Sequence, residues 1–169
     1  MKYFINSQPK AGTYLCSNIL ANMGIRQSYL HVSEKGYTLY DEKRLDEGRK
    51  NPQQFFHRRV SNKQYSEMQM IHEGSFCVGH IRYNKHIDTV TCDWKRIILW
   101  RDIEEARESF RRWQIESGRN RPYNLQEGLA QTWFDKDNVF VLLLNLPDDQ
   151  HFHYLNYDDL VNQYEHQYV

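Results

Sequence analysis

Close to the start of the chain, Pro9-Lys10-Ala11-Gly12-Thr13 sets a cation, a glycine and a hydroxyl side by side, just ahead of a helical pattern. That combination suits an anion. Backbone N–H groups at a helix N-terminus lack intrahelical partners and carry partial positive charge. Gly12 lets an oxyanion approach the backbone closely, Lys10 adds a full charge, and Thr13 adds a hydroxyl donor. The plainer reading of the same residues is an ordinary turn capped by Thr13. A second pair, Arg101 and Ser109, stands eight residues apart. Arg101 ends an apolar run and offers a planar fork to a phosphate. Ser109, two helical turns on, reaches the same anion only if that anion rests beside the helix. Taken alone, this pair reads more simply as an Arg101–Asp102 ion pair and a small packing residue. The third candidate is His80, after Phe76-Cys77-Val78-Gly79. An imidazole there is a natural general base at neutral pH. His151 and His153 would share one face of a strand, but no Cys or His-Glu partner accompanies them, so no metal is expected.

The loop is not a Walker A sequence, which needs Lys after its second glycine; here Lys10 precedes the only one. The order Pro-Lys-x-Gly-Thr resembles the 5′-phosphosulfate loop of sulfotransferases that use 3′-phosphoadenosine 5′-phosphosulfate (PAPS). Tyr14 stands where a second small hydroxyl residue is usual, and it keeps an OH. The same family places an Arg after a strand and a Ser eight residues on, as Trp100-Arg101-Asp102 and Ser109-Phe110 do here. Tyr154-Leu155-Asn156-Tyr157-Asp158-Asp159-Leu160 is similar to the family's strand ending in Tyr-Glu-Asp-Leu, with Asp158 for Glu. The cytosolic branch carries its catalytic His within Lys-Thr-His; here Val78-Gly79 replace the Lys-Thr, and since some branches use a carboxylate, the resemblance puts Glu73 in reserve as base. Nothing between residues 26 and 75 matches.

The resemblance implies one domain over residues 1–169 with an α/β fold. That fold is three-layered, a mainly parallel central sheet flanked by helices, of the P-loop NTPase-like sulfotransferase type. It implies that Pro9, Lys10, Ala11, Gly12, Thr13 and Tyr14 hold the 5′-phosphosulfate and that Arg101 and Ser109 hold the 3′-phosphate. Lys10 and His80 would be the catalytic pair, moving a sulfonate to a hydroxyl or amine of a small-molecule, carbohydrate or peptide acceptor without a metal. Adenosine 3′,5′-bisphosphate would be the product. Tyr14, Phe76, Tyr83 and His86 are candidates for the acceptor wall. Two other readings stay open: a kinase-like phosphotransferase, and a non-catalytic nucleotide-binding or partner-recognition protein on the same scaffold.

The elements needed to position these residues follow from local patterns. Tyr3-Phe4-Ile5 reads as a buried strand. Leu15, Ile19 and Met23 recur every four residues, predicting a helix from Thr13 with Gly24 as its stop. Phe76–Val78 and Arg96–Trp100 read as further strands. Asp102 is a natural cap for a helix carrying Ile103, Ala106, Phe110 and Trp113 on one stripe, which Gly118 would end. A helix from Asn124 through Trp133, a strand or buried helix over Val139–Leu144, a strand over Phe152–Tyr157 and a final helix complete the pattern. The segment from Arg26 to Glu73 has weak periodicity and is expected to be variable, substrate-facing structure, with a helix around Asn62–His72. Alternating strands and helices point to a parallel sheet, whose ligands sit beyond the strands' carboxyl ends.

Composition narrows the classes. The chain has 169 residues, enough for one core, and 22 Lys+Arg balance 22 Asp+Glu. No global basic field favours non-specific nucleic-acid binding. Three dispersed cysteines, Cys16, Cys77 and Cys92, argue for reduced thiols. No apolar run is long enough to span a bilayer, and Met1–Ile5 turns polar too soon for a signal-peptide core. A cytoplasmic location, away from membranes, is the expectation.

Overall fold

The structure, a computed structural model, describes residues 1–7, 9–33, 36–40, 57–60, 66–81, 85–116 and 152–165. Its centre is a seven-stranded sheet: β1 (Tyr3–Ser7), β2 (Arg26–Ser33), β3 (Gly36–Tyr40), β4 (His57–Val60), β5 (Ser75–His80), β6 (Lys95–Trp100) and β7 (Phe152–Asn156), in the order β4-β3-β2-β5-β1-β6-β7. The block β2-β5-β1-β6-β7 is parallel throughout, while β3 and β4 extend it antiparallel beyond β2. The helices are α1 (Thr13–Asn22), α2 (Lys85–Val90), α3 (Ile103–Glu116) and α4 (Tyr157–Glu165), with a 3₁₀ turn at Ser66–Met70.

The central strands β1, β5 and β6 carry short apolar runs and not an alternation, because the sheet is covered on both faces. Phe4, Leu30, Val32 and Cys77 point to one side, against Met68, Ile71, Ile87 and Trp94. Their neighbours Ile5, Phe76, Val78, Ile97 and Leu99 point to the other, against Cys16 and Leu20 of α1, with Leu160 of α4 alongside. The fold is therefore α/β with a layer on each side of a mainly parallel sheet.

Helix ends follow their sequence signals. Past α1, Gly24 adopts φ 83°; its N–H donates to Ala21 O, and that of Ile25 to Leu20 O, both at 3.0 Å. This double closure is what a glycine stop provides. Asp102 caps α3, its Oδ1 accepting from the N–H groups of Glu104 at 2.9 Å and Glu105 at 3.2 Å. Asn156 does the same for α4, accepting from Asp158 N–H at 3.0 Å.

Between Arg26 and Glu73 the sequence reading needs correction. Its described residues include three strands of the sheet, and the described part of the expected Asn62–His72 helix, from Ser66 on, holds a 3₁₀ turn at Ser66–Met70 and no α-helix. The register of β2 on β5 shifts between Gln27 and His31, and Gln27 and Ser28 are buried there beside Leu30 and Val32. Buried polar residues within a shifted register erase the two-residue alternation that announces a strand. The expected elements over 124–133 and 139–144, and the stop at Gly118, lie outside the described residues. Among the described residues no helix is long and apolar enough to cross a membrane.

Candidate functional site

The central strand β1 fixes where a ligand would sit. The chain leaves β1 to build one side of the sheet with β2 and β5, then crosses to build the other with β6 and β7. Such a reversal opens a crevice at the strands' carboxyl ends, and the Pro9–Thr13 loop lies at that edge of β1. Parallel register brings the flanking candidates beside it. Asn6 is opposite Gly79 on β5, which puts His80 beside Ser7. Ser7 is opposite Leu99 on β6, which puts Arg101 just past the loop's base. Trp100 is opposite Asn156, which brings Tyr157 into the same row.

The loop is tightly wound. Lys10 and Gly12 both take left-handed backbone angles, φ 69° and 90°, around the fully buried Ala11. Gly12 is the N-cap residue of α1, and no side-chain cap bond is made there. The positive end of the α1 dipole therefore keeps its attraction for an anion. Successive backbone N–H groups in such a turn also make an anion-binding concavity. Thr13 anchors the helix start: its carbonyl accepts from Ser17 Oγ at 2.7 Å, and its hydroxyl lies 2.5 Å from Ser7 Oγ.

Lys10 reaches across to α3, where its Nζ sits 4.5 Å from the centroid of the Trp113 ring. Burial draws its pKa down to about 8, with Glu116 pulling it partly back up. At neutral pH it is still mainly a cation.

Arg101 and Gly12 meet on one side chain. The Arg101 guanidinium stacks over Tyr157, Cζ 4.1 Å from the ring centroid, and the same ring presses against Gly12. Arg101 Nε also donates to Glu105 at 2.8 Å. The alternative Arg101–Asp102 ion pair thus gives way: Asp102 caps the helix and Glu105 takes the arginine. Ser109 is half-buried on α3. Glu105, Ser109 and Trp113 recur at four-residue intervals, so they line one helix face. Ser109 therefore lies on the stripe between the group that holds Arg101 and the group that holds Lys10.

His80 is held at β1 by its Nδ1, 2.8 Å from Ser7 O and 3.1 Å from Ser7 Oγ. A carbonyl only accepts, so Nδ1 carries the proton and Nε2 the lone pair. Burial lowers the His80 pKa below its ordinary value; the Ser7 carbonyl opposes that shift and the Lys10 charge adds to it. The ring also meets His31 edge-on, centroids 4.9 Å apart. Below it, Asn6 clamps β1 to the end of β5, donating to Ile81 O at 2.7 Å and accepting from Ile81 N–H at 3.0 Å.

Two expectations fail on placement. Glu73 precedes β5 and pairs with the N-terminal ammonium of Met1, at the strands' amino ends and away from the loop. It is no reserve base. Phe76 is fully buried opposite Tyr3, also at the amino end, so it lines the core and not an acceptor wall. His86 is exposed on α2 and Tyr14 half-buried on α1; Gln8, Tyr83 and His151 lie outside the described residues. Among the described residues no group of three His, Cys, Asp or Glu side chains is arranged to hold a metal.

Ser7, Glu105, Trp113 and Tyr157 were not read as site residues from sequence, although Trp113 fell on its helix stripe and Tyr157 in the family-like segment 154–160. For Trp113 a signal existed, its four-residue spacing from Ser109. Compared with protein-family models, curated proteins and solved structures, the chain matches none significantly.

Proposed function

We propose that the chain is a PAPS-dependent sulfotransferase that binds the nucleotide across the carboxyl ends of β5, β1 and β6. The observation carrying this reading is that one aromatic ring, Tyr157, touches both Gly12 of the loop and Arg101. The two anchors thereby form one continuous surface, as a single doubly phosphorylated nucleotide requires. The residues suit such a ligand: the α1 N-terminus has no side-chain cap, Lys10 supplies a partly desolvated cation, and Arg101 presents a fork.

PAPS, when bound, supplies a sulfonate already activated for in-line displacement. Lys10, Gly12 and Thr13 would hold the 5′ end, where Lys10 offsets charge on the departing oxygen. Arg101 would hold the 3′-phosphate, with Ser109 beside it on α3. His80 would take the acceptor's proton at Nε2, its bare nitrogen. Fixed placement of these groups contributes more than any covalent chemistry by the protein.

Calorimetry with adenosine 3′,5′-bisphosphate tests the binding half, and transfer from labelled PAPS to a panel of alcohols, sugars and peptides tests the chemical half. Absence of binding ends the proposal. A second reading, a nucleotide binder without catalysis, is favoured by one feature: Arg101 is already held by Glu105 and Lys10 by Trp113. Binding without transfer to any acceptor would select it.

A further inference from the structure

Two buried hydroxyls link the candidate base to the phosphate loop. Ser7 ends β1 and is buried, as is Thr13 at the first turn of α1. Their oxygens lie 2.5 Å apart, and Ser7 Oγ lies 3.1 Å from His80 Nδ1. The direction of this chain follows from its one proton-free member. The Ser7 carbonyl, 2.8 Å from Nδ1, requires the imidazole proton to sit on Nδ1. Ser7 Oγ then accepts from that same N–H and spends its own proton on Thr13 Oγ1. Thr13, having accepted, keeps its proton for one further acceptor, and it stands at the loop.

We infer that Ser7 is a positioning residue that relays the presence of an anion in the Pro9–Thr13 loop to His80 through the Thr13 and Ser7 hydroxyls. An anion that takes the Thr13 proton polarises Thr13, then Ser7, then the Nδ1–H of His80, since each hydrogen bond in a chain strengthens the next. The lone pair on Nε2 becomes more basic when the loop is filled and less so when it is empty. The proton donor for transfer would thus be handled by a base tuned to cofactor occupancy. The inference rests on the proposed anion site but not on sulfonate chemistry.

An anion also raises the basicity of His80 through space, and Lys10 from the loop and His31 from β2 both face the ring. That field is common to the wild type and to Ser7→Ala, so the difference between them isolates the relay. The experiment follows the His80 ring by NMR through a pH titration, with and without saturating adenosine 3′,5′-bisphosphate, in both proteins. The ligand is expected to raise the His80 midpoint in the wild type, and by a measurably smaller amount in Ser7→Ala. Equal rises in the two proteins overturn the relay.

Calorimetry adds a second reading. Ser7→Ala is expected to weaken binding several-fold in the wild-type background and not at all when Thr13→Val has already cut the chain; multiplicative losses overturn it. Ser7→Cys, a weaker donor, replaces Ser7→Ala should the latter fail to fold, with the same criteria. Inorganic pyrophosphate serves as the probe if the nucleotide does not bind. Pyrophosphate binding with the expected differences upholds the relay while removing the sulfotransferase reading. Failure of both ligands to bind overturns both.

Discussion

The ring of Tyr157 lies so close to Gly12 that a Cβ built at Gly12 would meet Tyr157 Cδ2 at 2.5 Å and Cε2 at 2.9 Å. Gly12 also holds φ 90°, a backbone angle that side chains disfavour by about 1–2 kcal/mol. Gly12→Ala should therefore destabilise by roughly 2 kcal/mol or more, lowering the midpoint of thermal unfolding by about 4–8 °C. Made on a Tyr157→Ala background, the same change should cost only its backbone part, about 1–2 kcal/mol. Denaturant unfolding of the four proteins checks this. Equal costs in both backgrounds would mean that the ring yields freely and does not tie the loop down.

The same ring carries Arg101, whose Nε is held by Glu105 at 2.8 Å. A phosphate must compete with that carboxylate. Arg101→Ala is expected to weaken adenosine 3′,5′-bisphosphate about ten- to a hundredfold, the worth of a charge-assisted contact, while leaving adenosine 5′-phosphate nearly unaffected. Glu105→Gln should act in the opposite sense, tightening the bisphosphate a few-fold by removing one anionic competitor for the guanidinium. Ser109→Ala should follow Arg101→Ala with a smaller loss. Calorimetry with the two nucleotides decides, and equal effects on both would discard the 3′-phosphate assignment.

The contrast between what sequence disclosed here and what it did not has a physical basis. The loop is local: Lys10, Gly12 and Thr13 share the turn they form themselves, so their grouping is visible in a line of text. Helix stops and caps are equally local, and Gly24 and Asp102 do what their types suggest. His80 and Arg101 were legible because each closes an apolar run. Tyr157 was not, because its contact with Gly12 exists only through the pairing of β7 beside β6. Trp113 announced its helix face but not its partner, since the reach of Lys10 across to α3 is a tertiary event. The β2 strand stayed hidden for yet another reason: Gln27 and Ser28 are buried where its register slips.

Lys10 gives the site an alkaline limit. Burial brings its pKa down to about 8, so the free protein loses this cation as pH rises through about 8. An anion prefers the charged form, and affinity for adenosine 3′,5′-bisphosphate should fall across that range instead of holding to the usual lysine value. Lys10→Arg, charged at every accessible pH, should remove the dependence. Lys10→Ala should lower transfer by about a hundredfold or more and leave the protein folded. A binding constant that stays flat from neutral pH to well above 8 in the wild type would separate Lys10 from the anion.

His80 gives the acid limit, and its sign is opposite. The base must be neutral to accept a proton, and burial together with the Lys10 charge keeps its pKa below the ordinary 6.5, although the Ser7 carbonyl pulls the other way. The neutral form, the one the proposed base requires, is therefore favoured at physiological pH. On the acid side kcat/KM for PAPS, which reports the protein before the nucleotide binds, should decline only below the ordinary histidine value of 6.5. His80→Asn keeps a hydrogen-bonding group near Ser7 but has no basic nitrogen. It is expected to reduce kcat by about a hundredfold or more, to leave nucleotide affinity within a few-fold of the wild type, and to abolish the acid limb of the profile. If instead the variant loses nucleotide binding while its residual turnover keeps the same acid limb, the group that titrates is elsewhere, and His80 serves only to pin β5 to β1.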